Sequence, residues 1–163
     1  LSFDIRRRLS HGCSQYHTNQ ELGLKVISTI EKVLFLKNVD LFKTIPGEEL
    51  SYIAQITDEI TFGTNDVIFK EGDQGDSMYL IVTGNVRIHS GEHVIAELGS
   101  EQCFGEMSIL DAEPRSASVT VLNDLTLLRL QREDFAEILA EKSEIAQGII
   151  KVLTHRLREA NRR

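Results

Sequence analysis

Met78-Tyr79-Leu80-Ile81-Val82-Thr83-Gly84-Asn85-Val86-Arg87-Ile88-His89 places two runs of apolar, largely β-branched or aromatic residues on either side of a glycine turn. Such side chains fit a pleated surface, and Gly and Asn tolerate the backbone angles that a tight turn demands, so the stretch reads as strand, turn, strand. The same pattern extends both ways. Ile60 with Phe62 and Val67-Ile68-Phe69 precede it, and Val94 to Leu98, Ala117 to Val121 and Leu125 to Leu130 follow it. The dividers are Gly63, Gly72-Asp73-Gln74-Gly75, Ser90-Gly91-Glu92 and Asn123-Asp124. Glycines 72, 75 and 84 are read as structural residues supplying positive φ at turns. Many short strands with glycine turns predict a small antiparallel barrel or roll.

On both sides of the strand-rich middle the apolar period becomes helical. Thr18 and Glu21 have capping-box spacing, after which Leu22, Val26, Ile27, Ile30, Val33 and Leu34 share one face, predicting an amphipathic helix over 21–36 that Asn38 stops. Val39, Leu41 and Phe42 make a short apolar turn, and Pro46 opens a second helix carrying Leu50, Ile53 and Ala54 inward. Toward the C-terminus a helix near 133–140 precedes a longer one capped by Ser143, with Ile145, Ile149, Ile150, Leu153 and Leu157 on its apolar side. The expected class is α+β: an antiparallel, jelly-roll-like β-roll of about eight strands, flanked by N-terminal helices and two C-terminal helices.

With 163 residues, 41% of them hydrophobic, the chain can bury one core, and one domain is the default. A net charge of −7 argues against nonspecific binding to nucleic acid or a membrane surface, which needs a broad basic field. A local anion site needs only one well-placed cation and is compatible with that charge. Cys13 and Cys103 lie far apart and in no metal spacing, so both are expected as reduced thiols in a cytoplasmic protein. No apolar run has membrane-spanning length and no signal-peptide pattern opens the sequence. The first residue is Leu, so a piece of a longer protein is expected. Residues 1–17 show little periodicity and read as a linker or the end of an upstream region; Arg7-Arg8-Leu9-Ser10 within them fits a basophilic kinase pattern that is common by chance.

The chemistry concentrates in Phe104-Gly105-Glu106-Met107-Ser108-Ile109-Leu110-Asp111-Ala112-Glu113-Pro114-Arg115-Ser116-Ala117-Ser118-Val119. Here a carboxylate, Glu106, and a guanidinium, Arg115, stand nine residues apart around a predicted short helix. Gly105 lets backbone approach a ligand, and the following turn aims free N–H groups outward. Pro114 fixes the chain before Arg115, whose planar fork suits two phosphate oxygens.

This segment resembles the phosphate-binding cassette of cyclic-nucleotide-binding domains: Phe-Gly-Glu, a small residue two places on, then Pro-Arg, a small residue and Ala. The run from Glu71-Gly72-Asp73 through Asp76-Ser77-Met78-Tyr79-Leu80-Ile81-Val82-Thr83-Gly84-Asn85-Val86-Arg87-Ile88 is similar to the scaffold signature of the same family, and the resemblance covers residues 22–163. It implies ligand-binding roles for Gly105, Glu106, Met107, Ser108, Arg115, Ser116 and Ala117, with Glu106 on the ribose 2'-OH and Arg115 on the cyclic phosphate. It also implies a lid. Counted from Phe135, the lid positions are Ala160 and Asn161, the latter able to meet the adenine edge. The domain plan is then a helical N-terminal motif over 18–57, the β-roll with its cassette over 58–130, and C-terminal hinge and lid helices over 131–163.

A cyclic phosphate carries one negative charge that a single Arg and a few N–H groups can neutralise, whereas a linear nucleotide brings more charge and normally a Mg²⁺ site. Ser116 after the arginine resembles cyclic-AMP rather than cyclic-GMP sites of the family. A cupin-like metal enzyme needs a His-x-His pair with further ligands. Here His89 and His93 flank the Ser90-Gly91-Glu92 turn, and His11, His17 and His155 lie outside the predicted barrel. No catalytic triad, P-loop or Rossmann pattern is present. The expectation is a non-enzymatic sensor with no metal and no cofactor, cyclic AMP as regulatory ligand, and an attached effector domain as partner. Neither nucleic acid nor membrane is an expected partner within this chain, and a homodimer is left open. The competing reading is a protein-interaction domain of the same fold that has lost its ligand.

Overall fold

The architecture rests on two strands that are apolar on both faces. The computed structural model describes residues 26–163 and, as backbone only, residues 17–18. In chain order the elements are β1 (His17–Thr18), α1 (Thr29–Leu36), α2 (Gly47–Gln55), β2 (Thr57–Phe62), β3 (Val67–Phe69), β4 (Ser77–Thr83), β5 (Val86–Ser90), β6 (His93–Leu98) and β7 (Cys103–Phe104). They are followed by α3 (Glu106–Asp111), β8 (Ser118–Val121), β9 (Leu125–Gln131), α4 (Arg132–Glu141) and α5 (Ser143–Asn161). The strands form two antiparallel sheets, ordered β1-β2-β9-β4-β7 and β3-β8-β5-β6. This is the expected α+β roll.

Strands β4 and β9 pair with Met78 opposite Leu130, Leu80 opposite Leu128 and Ile81 opposite Leu127. Successive side chains leave opposite faces of a strand, so each strand feeds two cores. Met78, Leu80, Leu128 and Leu130 join the helices in one core, with Leu36, Phe42, Leu50, Ile53, Phe135 and Ile145. Tyr79, Ile81, Leu125 and Leu127 fill the interior of the roll with Ile60, Phe62, Phe104, Val119 and Val121. That double burial explains why Met78 to Val82 reads as an unbroken apolar run rather than an alternation.

The chain does not fold back as a hairpin at Gly84. β4 belongs to one sheet and β5 to the other, so Thr83-Gly84-Asn85 is a corner between sheets. Gly84 has φ of 95°, and a Cβ there would stand 2.4 Å from the Asp124 carbonyl oxygen. Glycine is required on both counts.

Several sequence-based expectations are corrected. Thr18 lies in β1, paired with Ile60, and the helix begins at Thr29. Its capping box uses Ser28 and Glu31: Ser28 Oγ accepts from the Glu31 N–H at 3.2 Å, and the Glu31 carboxylate accepts from the Ser28 N–H at 2.8 Å. Glu21 and Leu22 lie outside the described residues, as do the 1–16 part of the predicted linker, the Arg7–Ser10 motif, His11 and Cys13. The buried side of α1 is set by Leu36, fully enclosed, while Ile30 stays 74% exposed, because the apolar stripe is wider than the surface it meets. Similarly, α5 buries Ile145, Gly148, Ile149 and Val152 and leaves Ile150 and Leu157 exposed. Ser143 is the first residue of α5 and not its cap: Lys142, with φ of −120° and ψ of 87°, ends α4 and takes the capping position of α5 without a side-chain bond. Two strands escaped the sequence reading, β1 and β7, each only two residues long.

α5 is seated on the turn 39–45. Thr44 Oγ1 donates to the Gly148 carbonyl at 3.2 Å, and a Cβ at Gly148 would press on Ile45 at 2.8 Å. Arg156 donates from Nε and Nη2 to one Asp40 carboxylate oxygen at 3.0 and 2.8 Å.

Candidate ligand site

Phe104 ends β7 opposite Tyr79 of β4, and the two rings stack with centroids 5.2 Å apart. The chain must then turn sharply from strand to helix. Gly105 makes that turn with φ of 79°, where a Cβ would stand 2.6 Å from Arg115 Nη1 and 3.1 Å from the Ser77 carbonyl oxygen. The short helix α3 follows, stopped by Ala112 in the left-handed region, whose N–H returns to the Ser108 carbonyl. Ser108 Oγ donates to the Glu113 carbonyl at 3.0 Å, and Asp111 Oδ1 accepts from the Glu113 N–H at 3.1 Å. These bonds fold 108–113 into a compact return that delivers Pro114 and Arg115.

Arg115 is fastened at its backbone and inserted at its side chain. Its N–H donates to the Asp73 carbonyl and its carbonyl accepts from the Gly72 N–H, both at 2.8 Å. The guanidinium is buried, with Nη2 donating to the Ser77 carbonyl at 2.7 Å and Nη1 to the Gly105 carbonyl at 3.3 Å. Its carbon lies 4.0 Å from the centroid of the Phe69 ring. Burial pushes its pKa down from the ordinary arginine value, while the ionisable Tyr79 and Asp76 nearby oppose that shift and Arg132 reinforces it. Arginine stays protonated under such a displacement, so this is a buried cation. Its Nε is buried and has no hydrogen-bond partner. An orphaned charged donor of this kind costs free energy unless an acceptor meets it.

Gly75 faces that donor. It does not adopt the positive φ expected for it; instead it lets Ser108 and Arg115 pack directly on its backbone, since a Cβ there would stand 2.5 Å from the Ser108 Cβ and 2.8 Å from Arg115 Nε. Glycines 72 and 84 do have positive φ, 88° and 95°.

The structure brings Gly105, Ser108 and Arg115 together, while Glu106 is half-buried in the first turn of α3 and its charge acts on Arg156 of α5. Ser116 is exposed directly beside Arg115 and Ala117 is buried as the chain enters β8. Met107 projects outward, 63% exposed, and the Ser108 hydroxyl is committed to Glu113. Asn161 is exposed at the far end of α5, a helix tied to Asp40 and Thr44. Phe69, Tyr79, Ser77 and Arg132 were missed as parts of the site. Arg132 sits 17 residues beyond Arg115, and nothing in the local sequence links the two. His89, weighed earlier as a metal ligand, has its ring nitrogens 2.8 Å from the Gly91 carbonyl and from Thr120 Oγ1. Among the described residues no group of three or more His, Cys, Asp or Glu side chains could hold a metal ion.

The family model described as "Cyclic nucleotide-binding domain" matches residues 59–142, from β2 to the end of α4. The chain belongs to the cyclic nucleotide-binding domain family. That cyclic nucleotide-binding domain is similar to the cyclic AMP receptor protein of Thermus thermophilus, with 35% identity over 131 residues, covering 77% of this chain and 61% of the relative. It is also 32% identical over 114 residues to the cAMP-dependent protein kinase regulatory subunit of Dictyostelium discoideum, covering 65% of this chain and 33% of the relative. Among solved structures, the N-terminal domain of a transcriptional regulator from Streptomyces coelicolor A3(2) superposes with a TM-score of 0.71 at 30% identity, covering 78% of this chain and 92% of the other. These relatives are regulators, and the chain spans only part of the curated ones. Among the described residues no helix is long and apolar enough to cross a membrane.

Proposed function

We propose that this domain is a cyclic-AMP sensor that passes a helix rearrangement to an attached effector, within a cytoplasmic regulatory protein. The observation that carries the reading is the buried Arg115 guanidinium with an unpartnered Nε, packed against the Gly75 backbone beside the cassette. A singly charged phosphate diester matches such a site: one full charge, several acceptor oxygens, no need of a metal. Glu106 lies on the same turn and is suited to accept from a ribose hydroxyl. An extra phosphate oxygen beside Glu106 would meet like-charge repulsion, which favours the cyclic ester over a linear monophosphate. Gly105, Ser108, Ser116 and Ala117 belong to the same segment, and this reading gives Met107 and Asn161, the latter through α5, the role of covering the base. The proposed domain plan keeps α1 and α2 as the N-terminal motif, β2–β9 as the ligand-holding roll, and α4 with α5 as hinge and lid. α5 is the natural transmitter. It is held by the Arg156–Asp40 bonds and the Thr44–Gly148 bond, polar ties that a ligand-driven shift can exchange at modest cost.

Calorimetric titration of folded, nucleotide-free protein with cyclic AMP is expected to show one site per chain, tighter than for cyclic GMP and with no effective competition from AMP or ATP. Absence of heat with both cyclic nucleotides would replace this reading with the interaction-domain one.

A further inference from the structure

Arg132 is the first residue of α4, and it reaches three carbonyls, one in the cassette and two in the segment at the start of β4. Its backbone N–H donates to the Asp76 carbonyl at 2.7 Å. Its guanidinium donates to the Ser108 carbonyl from Nε at 3.1 Å and Nη2 at 2.6 Å, and from Nη2 also to the Gly75 carbonyl. Arg115 has the same pattern from the other side, joining Gly105 of the cassette to Ser77 of the 75–77 segment. Two guanidiniums thus pin the same pair of segments. They are near enough that Arg132 helps to push the Arg115 pKa down.

A six-residue helix is too short to hold its own position, so its orientation comes from what clamps it. The Ser108 carbonyl already accepts from the Ala112 N–H, and Arg132 adds a second, charged donor to it, where a cation also offsets the carbonyl dipoles of the helix. We propose that Arg132 is a positioning residue of the phosphate site: it holds α3 and the 75–77 segment at the spacing that Arg115 requires, and it ties them to the start of α4. When an anion draws the Arg115 donors away from the Ser77 and Gly105 carbonyls, Arg132 is the pin that remains, so displacement of α3 is delivered to α4. The affinity arm of this inference rests on the cyclic-nucleotide reading; the clamp itself does not.

The test uses the whole chain as wild type, Arg132→Ala and Arg132→Lys. Cyclic-AMP affinity is measured by calorimetry, ligand-free stability by thermal unfolding, and backbone amide exchange in 106–111 and 133–141 with and without ligand. Arg132→Ala is expected to bind about 10-fold or more weakly, the loss of charge-assisted bonds to two carbonyls. It should speed exchange in α3 without ligand and uncouple α4 exchange from ligand. Arg132→Lys, able to reach one carbonyl at a time, should recover part of the affinity. A lower melting temperature with wild-type affinity and wild-type ligand response in α4 would overturn the proposal, since that is what a purely structural role gives. Should Arg132→Ala fail to fold, Arg132→Lys carries the same comparison. Should wild type bind no cyclic nucleotide, the function proposed above fails, and ligand-free α3 exchange still decides the clamp: faster exchange in the variant supports it, unchanged exchange sinks it.

Discussion

Arg115 holds a charge in a place only 5% exposed, and what stabilises it is two carbonyl dipoles and the face of Phe69 rather than a carboxylate hydrogen bond. A cation at an aromatic face gains about 0.5 to 2 kcal/mol, which offsets part of its desolvation. The remaining donors, at Nε and on the two terminal nitrogens, are what an anion would take. Arg115→Ala is therefore expected to weaken cyclic-AMP binding by about 2 to 5 kcal/mol, or roughly 30-fold to several thousand-fold. Arg115→Lys should also bind poorly, because a point charge cannot copy the planar fork. Calorimetry checks both, with unfolding curves to show that the variants are folded. Glu106→Gln should cost less and should hardly alter binding of 2'-deoxy cyclic AMP, which lacks the hydroxyl that Glu106 would receive. Equal affinity of wild type and Arg115→Ala would end the phosphate-site assignment.

At the scale of elements, α1 shows how a cap and not the apolar period decides where a helix starts. Two capping-box patterns occur, Thr18 with Glu21 and Ser28 with Glu31, and the structure uses the second. The Ser28 site is also anchored from the roll: the Glu59 carboxylate accepts from the Ile27 N–H at 2.9 Å, and Lys32 donates to the Thr57 carbonyl at 3.0 Å. Ser28→Ala should lower stability by about 1 kcal/mol, read from urea unfolding, while Thr18→Ala should not produce a capping loss of that kind. If the two substitutions were equally costly, Ser28 would not be the residue that sets the start of α1.

At the scale of the molecule, Asp40 connects the turn 39–45 to α5. Hydrogen bonds from Lys43 and then from Arg156 hold its carboxyl below the usual aspartate range, outweighing a small opposing effect of burial. A depressed folded pKa means that the pair stabilises the fold above the unfolded pKa of about 4 and that this contribution is lost as pH falls through the folded value. The Asp40 side chain is 49% exposed, so solvent screening keeps the effect small, under about 1 kcal/mol. Asp40→Asn should thus melt slightly below wild type at pH 7, with the gap closing as the pH falls below about 4. A gap that stayed constant through that range would show that the ion pair contributes nothing to the seating of α5.

The sequence by itself determined the strand-rich middle, the apolar turn 39–42, the helix after Pro46 and the turn from strand to short helix at Gly105, because each depends on neighbours in the chain: side-chain period, a proline's fixed φ, a glycine's freedom. What surrounds Arg115 was decided only in three dimensions. Phe69, Gly75, Ser77, Tyr79 and Arg132 come from β3, the segment before β4, β4 itself and α4, and meet only when antiparallel pairing brings β4 beside both β7 and β9. Gly75 looked like a turn glycine and proves to be a point of close approach, a distinction that lies in Ser108 and Arg115, over thirty residues away. Likewise no local signal says that β4 and β5 join different sheets at Gly84, or which side of α1 and α5 is covered. Those outcomes follow from burying the two-faced strands β4 and β9, a demand that belongs to the whole core and to no single segment.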